Sequence, residues 1–400
     1  MKKEAISVGR PAHLRHTNAL TVLRLLREVG SCSRADLVRA SGLSAPTVTN
    51  VVGDLLAANL IKPLGEGESS GGRPPDMISF NAERGCLLAV QITPTSLLFL
   101  LTDLTGTQLE TSNVLLHNQK TTPEAICNRI GTETRRLLRK HKMAQEQLLA
   151  VVVAVPAITN VEEGVVVCIS ALENWRSVPL RALLNKVFSC RVIIENDTNL
   201  SALGEHHRGA AQFQETFILI NIEANVSAGI FLNGRLHRGT QWAAGEIAYL
   251  RLPHVSRKAP SLHEYGELEC VLTNSAILKS WQDGTSPIVG NANTESAATV
   301  LNLAQAGDSR AKKVIQYRAG IVSDIIVNLS LILNPALILL GGEVGSHSFL
   351  VNLVKRQLER SEFAVPEIAP AALGDSAALA GAIAAALEVV PSILLPQPRP

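Results

Sequence analysis

Residues 33–56 read SRADLVRASGLSAPTVTNVVGDLL, and two helix beginnings are written into them. Ser33 carries a hydroxyl that accepts from the free amides of a first helical turn, and Ala35, Leu37 and Val38 give the next segment an inward side. Ser41-Gly42 ends that segment, since glycine tolerates the left-handed backbone that closes helices. Ser44 starts another, with Pro46 in its first turn, where a missing N–H costs nothing. Val48, Val51, Val52, Leu55 and Leu56 form its buried stripe. Upstream, Arg15–Glu28 with Leu20, Val22, Leu23, Leu25, Leu26 and the adjoining Val29 is dense enough for a further helix with a buried face. Two short helices joined by a glycine-containing turn are the geometry that lays the second one in a DNA major groove.

That reading assigns roles. Behind the Ser44 cap, the stripe leaves Ala45, Pro46, Thr47, Thr49 and Asn50 facing outward. Hydroxyl, amide and methyl groups there reach base edges and phosphates, and asparagine can contact adenine with both ends of its amide. Lys62 and the basic residues of the first helix are placed for phosphates, which give affinity without sequence information. Residues 65–76, GEGESSGGRPPD, read as a wing tip and linker whose glycines and prolines can carry Arg73 into a narrow minor groove. The competing reading is a helical hairpin for protein contact, with Arg73 a solvated charge.

Charge distribution favours DNA. Met1–Leu64 holds nine Lys/Arg against four Asp/Glu, a local +5 within a 400-residue chain whose net charge is +2. A basic front end on a near-neutral body suits a tethered DNA reader rather than a wrapper of nucleic acid. With 46% apolar and 18% charged residues, the chain is expected to form two or three compact domains. The six cysteines show no CxxC pair, and Met1–Asn18 is polar and basic, so a reduced cytoplasmic protein without a signal peptide is expected. The longest apolar stretch, Ile325–Leu340, is interrupted by Asn328, Ser330, Asn334 and Pro335, which predicts a buried helix and strand rather than a membrane span.

Beyond the linker, strands are predicted over Leu87–Ile92, Leu97–Asp103 and Gln108–Leu116, a helix over Pro123–His141, and an apolar strand over Leu149–Val155. Strand Val192–Glu195, helix Leu200–Gly209 and strands Phe217–Ile222 and Ser227–Leu232 follow. Helices are expected from Leu262 to Leu333, then a strand over Leu337–Leu340 and an Ala-rich helix over Ser376–Val389, with a frayed tail at 391–400. Strand triplets with crossover helices, occurring twice, predict two α/β lobes.

The body also carries a set of short motifs in a fixed order. They are Ala154-Val155-Pro156, Trp175 with Val178-Pro179-Leu180, Glu195-Asn196-Asp197-Thr198-Asn199, Leu203-Gly204-Glu205, Gly245-Glu246-Ile247, Leu333-Asn334-Pro335, Gly341-Gly342 and Gly381-Ala382. In order and spacing, Gly85–Leu387 resembles the ROK family, named for repressors, open reading frames and sugar kinases, and the front end resembles the DNA-binding extension of its repressor branch. The resemblance implies an all-α winged helix-turn-helix over 1–80 joined to an α/β, actin-like (hexokinase-type) body of two lobes. Their expected bounds are 81–197, completed by a C-terminal helix at 375–389, and 198–374, with 390–400 as tail.

The departures from the family's kinases matter as much. Their first phosphate loop, Asp-x-Gly-Gly-Thr-Lys, reads Gln91-Ile92-Thr93-Pro94-Thr95-Ser96 here, and their second, Gly-Thr-Gly-x-Gly, reads Glu223-Ala224-Asn225-Val226-Ser227. Pro94 lacks an amide hydrogen, and Glu223 puts a negative charge where phosphate would sit. Losing both clamps removes on the order of several kcal/mol of transition-state stabilisation, so no kinase activity is expected. The family's zinc ligands are replaced as well: Tyr249 stands for a histidine, and the window Pro260–Glu269 has no cysteine. No metal or cofactor is expected.

The sugar side is better kept. By resemblance, Asn196, Asp197, Glu246 and Glu269 would bind sugar hydroxyls, with Tyr249 beside them and Asn174 the nearest candidate for a further ligand. A carboxylate suits this task because it accepts from vicinal hydroxyls. The alternative is that Asn196-Asp197 caps the next helix while the glutamates face solvent. The expectation is a non-enzymatic repressor of carbohydrate-related genes, sensing a sugar or derivative. It would work as a homodimer or dimer of dimers on a pseudo-palindromic operator, with no membrane partner. Two other readings stay open: an ATP-dependent sugar kinase with a DNA-binding extension, and a ligand-independent DNA-binding protein.

Overall fold

The front end is built around α1 (Pro11–Val29), β1 (Ser31–Ser33), α2 (Arg34–Ser41), α3 (Ala45–Ala57), β2 (Ile61–Glu66) and β3 (Asp76–Phe80). The computed structural model describes residues 11–67, 74–169, 171–253, 255, 266–283, 296–359 and 366–397. Ser33 caps α2 as expected: its hydroxyl accepts from the Asp36 amide at 3.2 Å, and the Asp36 carboxylate accepts from the Ser33 amide at 2.9 Å. Gly42, at φ 69°, closes α2 by donating to the Val38 carbonyl. Ser44 caps α3, and Pro46 lies in its first turn. Helices alone do not complete this end, because β1, β3 and β2 form a small sheet in which β2 and β3 pair antiparallel. Two inward assignments need correcting, since Ala35 is exposed and Val29 is 61% exposed.

The first lobe comprises β4 (Cys86–Ile92), β5 (Ser96–Asp103), β6 (Gln108–Leu115), α4 (Pro123–Lys140), β7 (Leu148–Val155), β8 (Thr159–Asn160), β9 (Val165–Cys168), β10 (Arg176–Val178), α5 (Leu180–Leu184) and β11 (Arg191–Asn196). Its main sheet has the order β11-β7-β4-β5-β6, with β4, β5 and β6 antiparallel and β7 and β11 joined in parallel. Helix α6 (Asp197–Arg208) then leads to the second lobe, whose first strands are β12 (Phe217–Ile222), β13 (Val226–Leu232) and β14 (Arg235–Leu236). The helices α7 (Glu269–Leu272), α8 (Asn274–Gln282), α9 (Ala297–Ala306) and α10 (Ser309–Leu333) follow. After them come β15 (Leu337–Gly341), α11 (Gly342–Gly345), α12 (Ser348–Leu358) and β16 (Glu367–Pro370). The order β14-β13-β12-β15-β16 repeats the topology of the first sheet, so the expected pair of α/β lobes is present.

The last helix, α13 (Ala377–Leu394), returns to the first lobe. Strand alternation explains how both faces of that sheet are filled. Leu88, Val90, Val151 and Val153 face the layer of α4 and α5, while Leu87, Ala89, Ala150 and Val152 share a core with Ala382, Ile383 and Ala386 of α13. The same core continues into Val22, Leu23 and Leu26 of α1, so the front end is docked on α13 rather than hung from a loose linker. On its other side α13 meets α6 backbone to backbone. A Cβ on Gly381 would stand 1.7 Å from the Leu200 carbonyl oxygen, and one on Gly204 would stand 2.3 Å from that of Ala377.

The expected frayed tail from 391 is corrected: α13 runs through Pro391 to Leu394. Helices Ser309–Leu333 and Gly374–Leu394 are long and apolar enough to cross a membrane, yet half or more of each apolar window, 50% and 61%, is buried inside the protein.

Candidate functional site

The exposed start of α3 is the first candidate. Ser44, Ala45, Pro46, Thr49 and Asn50 are exposed there and Thr47 is half-buried, while Val48, Val51, Val52 and Leu55 hold the opposite face in the core. Several hydroxyls are already engaged: Ser44 Oγ lies 2.8 Å from Thr47 Oγ1, and Thr49 Oγ1 donates to the Ala45 carbonyl at 2.9 Å. Their acceptor lone pairs stay available, and Asn50 makes no side-chain hydrogen bond among the described residues.

Among the cations, Arg27 departs from expectation. Lys62 lies 3.4 Å from Glu83 in the linker to the body, and Arg39 pairs with Asp36. Arg27, one of the α1 cations assigned to phosphates, turns inward and donates from Nη1 to the Leu387 carbonyl of α13 at 3.0 Å. Arg15 and Arg24 remain exposed. Arg73 lies outside the described residues.

The second candidate lies where α6 begins, between the sheets of the two lobes. Asn196 is the N-cap of α6: its Oδ1 accepts from the Asn199 amide at 3.0 Å and its Nδ2 donates to the Ala157 carbonyl at 3.2 Å. Both ends of that amide serve the fold, each keeping one further lone pair or hydrogen. Asp197 accepts from the Thr198 amide at 2.7 Å through Oδ1. Its carboxyl is pushed up to about 7, first by burial and then by the nearby Glu223. Glu246 is also pushed up to about 7, by burial and by the charges of Glu269 and Asp197. Glu269 is fixed by backbone donors, Gly266 at 2.7 Å and Val226 at 3.3 Å, and burial still raises it. Tyr249 is raised by burial and then by Glu269, Glu246 and Cys168.

Asp197 at the start of α6 therefore comes together with Glu246, Tyr249 and Glu269 of the second lobe. Asn174 does not join them by any hydrogen bond among the described residues; it is exposed at φ 62°, in the turn before the buried Trp175. Sequence reasoning missed Arg238, whose Nε donates to the buried Glu195 at 2.6 Å. Glu195 also accepts from Asn199 Nδ2 at 3.1 Å, so this pair ties the loop leading to Glu246 to the start of α6. The charge of Glu195, two residues before Asp197, was the available signal.

The nucleotide side differs in kind. In the β4–β5 turn, the Thr93 hydroxyl accepts from the amides of Thr95 at 3.3 Å and Ser96 at 3.0 Å, and the Thr93 amide donates to the Ser96 carbonyl at 2.9 Å. Glu223 is raised by burial and then by the charges of Asp375 and Glu343, so three carboxylates gather beside the second loop. Of the cysteine-poor window 260–269, residues 260–265 lie outside the described residues.

These carboxyls predict a pH signature. Asp197 and Glu246 titrate near 7 in the folded chain and near 4 when unfolded. The folded chain holds protons that the unfolded chain gives up, so their contribution to stability is greatest in acid and is lost as pH rises from about 4 to about 7. Asp197→Asn is expected to raise the Tm by a few degrees at pH 8 and to leave it unchanged at pH 4. A Tm that falls equally at both values would show that the carboxylate stabilises the fold.

Two lobes of repeated β-sheet topology, with a front end of three helices and a small sheet docked on the closing helix, define the class. The chain belongs to the ROK family, whose profile matches residues 87–389. It is 24% identical over 373 residues to the xylose repressor of Bacillus subtilis (strain 168), covering 92% of this chain and 94% of that protein. It is 26% identical over 351 residues to the DNA-binding transcriptional dual regulator NagC of Escherichia coli (strain K12), covering 84% and 83%. Among solved structures, a ROK family transcriptional regulator homologous to the E. coli MLC protein superposes with a TM-score of 0.78 at 24% identity, over 96% of this chain and 98% of that one. The ROK hexokinase of Thermus thermophilus gives 0.62 at 24% identity, but its 99% coverage reaches only 76% of this chain.

Proposed function

We propose that this protein is a DNA-binding transcriptional regulator, a repressor of carbohydrate-related genes, whose kinase-like body senses a sugar or sugar derivative without catalysing its phosphorylation. One observation carries the reading: the Bacillus xylose repressors align with more than nine-tenths of the chain, whereas the hexokinase aligns with about three-quarters. Ser44, Ala45, Pro46, Thr47, Thr49 and Asn50 present the reading edge, Lys62 is assigned to phosphates, and Arg73 keeps its minor-groove role from the sequence. Asp197, Glu246, Tyr249 and Glu269 take the sugar hydroxyls, with Asn196 fixing their helix and Asn174 at the margin. Two recognition helices of a dimer, or of a dimer of dimers, would meet half-sites about one turn of DNA apart. A cytoplasmic location goes with that partner.

The turn closed by Thr93 and the carboxylates around Glu223 support the absence of phosphoryl transfer, because both oppose a bound polyphosphate. Purified protein with Mg-ATP and a panel of hexoses and amino sugars is expected to form no ADP above background. In the same panel, calorimetry is expected to register one sugar class whose affinity rises from pH 5 to pH 8, since hydroxyl donors favour the ionised carboxylates. ADP formation lost on Asp197→Asn would replace this reading with the kinase one, and silence across the panel would favour a DNA-binding protein without an effector.

A further inference from the structure

Pro391 sits inside α13 and has no amide hydrogen, so the Leu387 carbonyl one turn earlier loses its helical partner. Leu387 is buried, and an orphaned buried carbonyl is costly. Arg27 of α1 supplies the donor, Nη1 to that oxygen at 3.0 Å. The guanidinium lies 5.9 Å from the Phe80 ring centroid, its Nε is buried without an acceptor, and burial lowers its pKa. A cation held there contributes geometry more than stability, because desolvation offsets much of the contact. On the far side of α13, the Gly204–Gly381 crossing leaves no slack between α13 and α6, the helix whose first residue is Asp197.

We propose that the Arg27–Leu387 contact, made possible by Pro391, is the joint through which the carboxylate site sets the seating of the helix-turn-helix on the body. A shift of α6 carries α13 with it, and Arg27 is the polar contact by which α13 positions α1. The inference rests on the effector reading above for its input, while the joint itself is separately measurable.

The test follows amide exchange by mass spectrometry in the full-length chain. Arg27→Met is expected to speed exchange of the α1 amides about tenfold, the size of one charge-assisted hydrogen bond, with the β12–β15 core unchanged. Pro391→Ala gives the Leu387 carbonyl a competing donor, so it should loosen α1 less while slowing exchange in the last turn of α13. With D-xylose or N-acetylglucosamine as probe, exchange in α1 is expected to shift in the wild type and not in Arg27→Met. An equal shift in both would overturn the joint. If neither sugar acts on the wild type or on any melting curve, the effector reading fails. The joint is then decided by the sugar-free comparison, and unchanged α1 exchange in Arg27→Met sinks it.

Discussion

Gly381→Ala is expected to unfold the body under conditions where the wild type is native. The added methyl would stand 1.7 Å from the Leu200 carbonyl oxygen and 2.8 Å from the Gly204 amide nitrogen. Both are backbone atoms of a helix held by its own hydrogen bonds, so neither can yield by a rotamer change. Forced overpacking of this kind costs about 3 kcal/mol or more. Here it also displaces α13, which fills one face of the first sheet and seats α1. Urea unfolding followed by circular dichroism reads the effect directly. Gly320→Ala, a helical glycine with nothing within 4 Å of the new methyl, is the matched control and should stabilise by up to about 1 kcal/mol. Equal midpoints for the two variants would mean that α6 and α13 are not locked.

Asn50→Glu is expected to abolish specific DNA binding while leaving the fold intact. The residue is exposed on α3 with no side-chain hydrogen bond among the described residues, so its replacement should cost little stability. In a major groove the change removes a candidate two-ended amide contact and sets a carboxylate among phosphates. A good bidentate base contact alone discriminates by about 1–3 kcal/mol, so with repulsion added the loss should reach about a hundredfold. Fragments recovered from genomic DNA by the wild type at low salt serve as ligands, and anisotropy at fixed ionic strength gives the ratio. Wild-type affinity in the variant would remove α3 as the reading element.

Local chemistry was legible in the residues. Ser33, Gly42, Ser44 and Pro46 act within four positions of themselves, so the helix ends around them could be placed without tertiary knowledge. Alternation and apolar runs likewise located all five strands of the first lobe's main sheet and β12, β13 and β15 of the second, but not β14, β16 or the small β8–β10 sheet. What escaped was set by distant partners. Arg27 reads as a surface cation until α13 arrives from 360 positions away with an unsatisfied carbonyl. Lys62 meets Glu83 only once β2 pairs with β3. Pro391 looked like a helix stop, yet burial and an external donor let the helix continue. At the carboxylate site the acids were legible as a group because their types and order match the family. The cap that Asn196 makes was legible as an alternative, but its bond to Ala157 depends on the segment after β7 meeting the start of α6.

That the closing helix belongs to the opening lobe has a consequence for biosynthesis. On the ribosome, strands β4 and β7 emerge long before the segment that covers one of their faces. Vectorial folding cannot finish this lobe, nor seat the front end on its platform, until α13 has left the exit tunnel. Truncated chains would thus expose a broad apolar sheet face and be natural targets for chaperones and proteases.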